Sequence, residues 1–133
     1  MKKLIPKSVR VAGVDYKVQE VENVIIEGST EYGGSCDYAS MEIEIRESLP
    51  QTRKDEVFVH ELLHAMFYEA GYQEHDEDMV NRVGKVLYQV LKDNPNLMNP
   101  LANIRQVKLS VDGVGVEDMI KNLSHSALQP LKE

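Results

Sequence analysis

Cysteine is almost missing from this chain of 133 residues: Cys36 is the only one. A single thiol excludes an internal disulfide and any metal cluster built from several cysteines. Positive charge is also short, with 15 Lys and Arg against 22 Asp and Glu and a net charge of -7. A partner built on a phosphate backbone needs cations to displace its counterions, so nucleic acid is disfavoured. No run approaches the roughly eighteen consecutive apolar residues of a membrane-spanning helix. The basic start Met1-Lys2-Lys3-Leu4-Ile5-Pro6 has no apolar h-region behind it, unlike a secretory signal, and the expected placement is the cytoplasm. Low-complexity tracts and internal repeats are lacking too. What is there is ordinary for a globular protein, 42% hydrophobic and 28% charged. One domain of this size buries about two thirds of the surface of its unfolded chain and needs no covalent staple.

The first half reads as strands. Val9, Val11, Val14, Tyr16, Val18 and Val21 form a run broken by Ala12-Gly13, which predicts a hairpin. Val24-Ile25-Ile26 is a short apolar run. The turn formers from Gly28 to Ser35 predict a loop, with a further strand at Cys36-Asp37-Tyr38. Met41 to Arg46 alternates strictly, Met41, Ile43 and Ile45 on one face and Glu42, Glu44 and Arg46 on the other. That is the pattern of a half-buried strand.

The period then changes. Ser48 ahead of Leu49-Pro50 and the box Thr52-Arg53-Lys54-Asp55 are helix-start signals. Helical character runs from there to Ala70, with Gly71 as the stop. Val57, Phe58, Val59, Leu62, Leu63, Ala65, Met66 and Phe67 surround this helix on nearly all sides, and a helix apolar all round is a buried one. A second helix is expected from about Asp76 to Asp93. Its stripe is Met79, Val80, Val83, Val86, Leu87, Val90 and Leu91, and its acidic start suits the helix dipole. The fold class is therefore α+β, a small, mostly antiparallel sheet packed on two helices. Residues 1–95 make the domain and residues 96–133 a linker and extension. In that extension Ile104 to Val111 reads as a strand, Asp112-Gly113 as a tight turn and Glu117 to Leu123 as a short helix.

The chemistry lies in His60-Glu61-Leu62-Leu63-His64, an H-E-x-x-H inside the buried helix. Four residues of helix return His60 and His64 to within about 40° of each other, one turn apart. Two imidazoles so placed can hold one metal ion. Glu61, rotated by about 100° from His60, flanks the metal and can take a proton from a metal-bound water. Spacing and chemistry together make this a zinc-hydrolase pattern. Two histidines and a glutamate in an apolar helix would otherwise be costly to bury.

A catalytic zinc takes three protein ligands and one open position. A third histidine at metzincin spacing would fall on Ala70, and a glutamate at thermolysin spacing on Gly84. Neither fits. Glu69 points well away from the histidine face and reads as a solvated rim residue. The candidates that remain are Glu74, His75, Asp76, Glu77 and Asp78. Glu77 is preferred, because it precedes Val80, Gly84 and Leu87 at helical spacing. It thus shares the stripe that faces the first helix, and antiparallel packing would aim its carboxylate at the histidine pair. His75, Asp76 and Asp78 stay open as alternatives, His75 being read first as an exposed loop residue.

These features resemble the minimal zincins: strands, a glycine-bearing loop, an alternating strand, H-E-x-x-H on a buried helix and an acidic residue opening the next. Within that group the chain is most similar to small metallopeptidase-like proteins of phages and mobile elements, related to the ImmA/IrrE group. The likeness covers roughly residues 8 to 95. It implies Zn²⁺ bound by His60, His64 and Glu77, with Glu61 as general base. It also implies a zincin-like fold and a sheet edge around Gly34 to Tyr38 where an extended peptide or protein substrate docks. The chain lacks the helix-turn-helix of larger relatives and carries Leu63 where many have glycine. Gly71-Tyr72 and His75 are also similar to a motif of YbeY-type metal-dependent endoribonucleases. There Glu61 replaces a glycine, the spacing from His64 to His75 is too long, and the acidic charge is unfavourable.

The function expected is zinc-dependent peptide-bond hydrolysis by a zinc-bound water that Glu61 activates. The alternative is a catalytically silent zinc-binding interaction module of a phage or mobile element. Tyr38, Tyr68 and Tyr72 are phenols that could face a developing oxyanion, though packing is the simpler role for each. Cys36 reads as a buried small apolar residue, Glu42 and Glu44 as a solvated strand face. Gly33-Gly34 reads as a bend toward the cleft.

Overall fold

The structure is a computed structural model and describes residues 5–99. The extension's expected strand and short helix lie outside the described residues. Element order is β1 (Ser8–Val11), β2 (Val14–Val21), β3 (Val24–Ile26), β4 (Ser29–Tyr32), β5 (Gly34–Asp37), β6 (Glu42–Arg46), α1 (Gln51–Glu69) and α2 (Glu77–Asp93). The compact unit that contains them ends at Asp93. Beyond it Asn94 to Asn99 turn on themselves, Leu97 N–H donating to the Asn94 carbonyl at 3.1 Å.

The fold is α+β. Its main sheet has the order β1-β2-β6-β5, and a separate two-stranded ribbon pairs β3 with β4. The sheet is mixed: β1–β2 and β5–β6 run antiparallel, whereas the central β2–β6 pair is parallel. A parallel pair needs a crossover, and here β3, β4 and β5 all lie in the connection between β2 and β6.

The hairpin predicted at Ala12-Gly13 is present. Both turn residues have positive φ, 50° and 85°, the geometry whose twist matches flanking strands. Glu27 and Gly28 repeat the device at φ 50° and 81°. This corrects the loop expected from Gly28 to Ser35, because the turn is only two residues long and the polar residues after it return as β4. Another correction concerns Met41. It sits at φ 58° and is 42% exposed, so the alternating strand begins at Glu42. Asp37 closes the preceding turn by accepting from the N–H groups of Ala39 (3.0 Å) and Ser40 (3.2 Å), the side-chain turn that aspartate favours.

The core lies between the sheet and α1. Val11, Tyr16, Val18, Ile43 and Ile45 meet Phe58, Val59 and Ala65, and each large side chain fully buried contributes roughly 1.5–3 kcal/mol. Helix α1 is the middle layer, touching β5 and β6 on one side and α2 on the other. That placement buries Phe58, Val59, Leu63 and Ala65, whereas Met66, expected to share the burial, is 43% exposed. Only part of the predicted α2 stripe packs: Val80 and Gly84 are buried, whereas Met79, Val83 and Val86 are exposed.

The ends of α1 differ from expectation at one end only. The N-cap is Pro50, with no side-chain cap, so Thr52 is already inside the helix. Asp55 instead accepts from the Gln51 side-chain amide at 2.9 Å. At the other end Gly71 has φ 107°. Gly71 N–H donates to the Tyr68 carbonyl and Tyr72 N–H to that of Phe67, at 3.0 and 2.9 Å. This is a Schellman stop.

Candidate metal centre

His60, His64 and Glu77 come together as a group that can hold a metal ion, each offering one donor atom and all three donors lying within 4.8 Å of one another. The two histidines share one face of α1 because a turn of helix separates them. Glu77 opens α2 and reaches both: Oε1 lies 2.8 Å from His60 Nε2, and Oε2 lies 3.2 Å from His64 Nε2. Gly84 of α2 faces α1 nearby, where a Cβ would lie in ordinary contact, 3.8 Å from the His60 Cα. His60 and His64 side chains are 23% and 13% exposed, against 62% for Glu77. The group therefore sits at an opening rather than inside the core.

Of the other acidic candidates, Asp76 and Asp78 are engaged elsewhere. Asp76 caps α2, its Oδ1 accepting from the N–H groups of Asp78 (2.9 Å) and Met79 (3.2 Å), as an N-cap aspartate does. Asp78 pairs with Arg82 one turn on, at 3.0 Å. Glu74 is exposed. Glu69 is half-buried rather than simply solvated: its Oε2 accepts from the hydroxyl of fully buried Tyr16 at 2.6 Å. Sequence periodicity gave no sign of that bond, since its partner lies in a distant strand.

Glu61 is 8% exposed and its Oε1 lies 4.0 Å from His60 Nε2. Burial, with the charge of Glu77 adding to it, pushes its carboxyl up to about 8. Burial also lowers the His64 pKa, while Glu77 opposes that shift. A dication between the three donors would favour the ionised form of Glu61, since a nearby opposite charge lowers a carboxyl pKa.

The site opens on a cleft of about 1400 Å³. One wall is β5, which among the described residues pairs only with β6 and is the edge of the main sheet. Gly34 and Cys36 share the helix-facing side of that edge, being in register with buried Ile45 and Ile43. At Gly34 the sheet comes close to α1: a Cβ there would overlap the Val57 side chain and lie 3.3 Å from Glu61 Cγ. Cys36 is half-buried and lines the cleft, and burial pushes its thiol up to about 12, with the Glu61 charge adding. Glu42 and Glu44 are half-buried cleft residues rather than a fully solvated face.

Of the three phenols, Tyr38 and Tyr68 line the cleft, stacked with centroids 4.2 Å apart. Burial pushes Tyr38 up to about 12, with the charges of Cys36, Glu61 and Glu77 also raising it. Tyr72 is 63% exposed and packs against Phe67 instead. His75 is the residue whose place was least legible. It is half-buried, with Nδ1 2.8 Å from Nδ1 of His64 and Nε2 2.7 Å from the Tyr72 carbonyl oxygen.

No protein-family profile, curated protein or solved structure matches this chain. Among the described residues no helix is long and apolar enough to cross a membrane.

Proposed function

We propose that the protein is a zinc-dependent metallopeptidase of minimal zincin type, with His60, His64 and Glu77 as metal ligands and Glu61 as general base. The observation that carries the reading is the convergence of two imidazole nitrogens and one carboxylate, with a buried second carboxyl beside them. Two histidines and a glutamate are a donor set that suits zinc and leaves a coordination position open. Zinc held there would supply a Lewis acid, able to lower the pKa of water toward about 7 and to polarise a carbonyl.

The chain's own residues do the rest. Among the described residues β5 is an edge strand along the cleft, and an extended peptide could add to it as a further strand. Glu61 takes the proton of the attacking water and returns it to the leaving amine. Tyr38 and Tyr68 line the cleft, and a phenol there could donate to charge developing on the scissile carbonyl oxygen.

The test is hydrolysis of a mixed peptide library by zinc-loaded wild type and Glu61→Gln, with zinc content measured in both. Cleavage by wild type, lost in Glu61→Gln while zinc is retained, is the expected result. Equal cleavage by both proteins would remove Glu61 from the mechanism. Zinc retained without cleavage by wild type would favour a zinc-binding interaction module.

A further inference from the structure

We propose that His75 is a positioning residue of the metal centre, holding His64 in the tautomer whose hydrogen is on Nδ1 and whose Nε2 is bare toward Glu77. This rests on the metal-site reading above and assigns a role to a residue outside the ligand set. The tautomer follows from a chain of contacts. A carbonyl oxygen only accepts, so His75 Nε2, 2.7 Å from the Tyr72 oxygen, carries a hydrogen. The His75 ring is taken in its neutral form, which has one N–H, and Nδ1 is then an acceptor. Nδ1 of His64 lies 2.8 Å from it, and two bare nitrogens at that distance would repel. His64 therefore donates from Nδ1. The Tyr38 hydroxyl oxygen lies 3.4 Å from the same His75 nitrogen.

The consequence lies on the far side of the His64 ring. Nε2 is 3.2 Å from Glu77 Oε2, and a carboxylate favours a hydrogen there. Such a hydrogen would have to leave before Nε2 could bind a metal. His75 opposes Glu77 in this choice and keeps the lone pair on the metal side. A second-shell partner of this kind orients a metal-ligating histidine and typically changes metal affinity 10–100-fold. The His75 ring is itself held, with its centroid 5.6 Å from that of Phe67 and 5.1 Å from that of His64. Its chain position, in the connection that ends at the Asp76 cap and Glu77, ties this partner to the third ligand.

The experiment is nitrogen NMR of ¹⁵N-histidine-labelled, metal-free protein at one fixed pH, beside zinc affinity from competition with a chromophoric chelator. Wild type, His75→Ala and His75→Asn are compared; the asparagine oxygen can stand where Nδ1 was. The expected wild-type spectrum has His64 protonated at Nδ1. His75→Ala should move that hydrogen to Nε2 and weaken zinc binding about 10–100-fold, and His75→Asn should restore most of both. A His64 hydrogen already on Nε2 in wild type overturns the proposal. So does an unchanged tautomer and affinity in His75→Ala. Should wild type take up no zinc, the metal reading fails, while the metal-free spectra still decide the role of His75.

Discussion

Gly84 of α2 stands against the backbone of His60 in α1, so close that a Cβ at position 84 would lie 3.8 Å from the His60 Cα. That contact is ordinary van der Waals distance, so Gly84→Ala fits. It also removes a helix-interior glycine, worth up to about 1 kcal/mol of stability. Gly84→Leu has no such room and must push the helices apart, carrying Glu77 away from the histidines. Thermal denaturation and zinc titration should show Gly84→Ala equal to or better than wild type. Gly84→Leu should lose about 1–3 kcal/mol and weaken zinc binding.

Gly34 marks the corresponding contact on the sheet side. Gly34→Ala overlaps Val57 and crowds Glu61 Cγ and the Glu44 carbonyl. The expected cost in denaturant unfolding is about 1–3 kcal/mol. The double variant Gly34→Ala, Val57→Ala relieves the worst overlap and should recover part of it. Strict additivity of the two single costs would contradict this contact.

Glu61 makes the stability of the metal-free protein depend on pH. Its carboxyl lies near 4.5 when unfolded and is raised to about 8 by burial when folded. Stability from this group is therefore complete below about pH 4.5 and lost as pH rises through about 8. Glu61→Gln carries no such proton. The two proteins should be close in stability at pH 5, and the variant should lead by a few kcal/mol at pH 9. Saturating zinc should shrink the difference, because the cation favours the carboxylate. Parallel pH profiles for the two metal-free proteins would refute the buried-acid assignment.

Tyr16→Phe removes the bond from a fully buried phenol to Glu69. Burial and the adjacent carboxylate together raise the Tyr16 pKa, so the hydroxyl stays protonated and donates throughout the ordinary pH range. A hydrogen bond to a charged group contributes about 1.5–3 kcal/mol, and urea unfolding should show a loss of that size. An unchanged midpoint would mean that water replaces the bond without cost.

What could be read from the sequence was whatever has a period. The alternation from Glu42 to Arg46, the helical period of α1 and the glycine after it each report a local rule, and the structure follows them. The juxtaposition of His60, His64 and Glu77 was legible because helical spacing places Glu77 on the face with Val80 and Gly84. What escaped depends on contacts across the fold. The β4 strand is polar because it belongs to an exposed ribbon, so composition resembles a loop. Thr52 carries a cap signal that Pro50 pre-empts by setting the helix start. The contacts of Glu69 with Tyr16 and of His75 with His64 join residues that no local pattern relates. The parallel β2–β6 pairing is likewise a property of topology.

The most direct measurement is zinc stoichiometry and affinity for wild type, His60→Ala, Glu77→Ala and Asp78→Ala, by elemental analysis and chelator competition. The account predicts about one zinc per wild-type chain, loss in His60→Ala, marked weakening in Glu77→Ala and no change in Asp78→Ala, whose carboxylate already pairs with Arg82. A wild-type protein that takes up no zinc, or one whose binding is indifferent to Glu77, would contradict it.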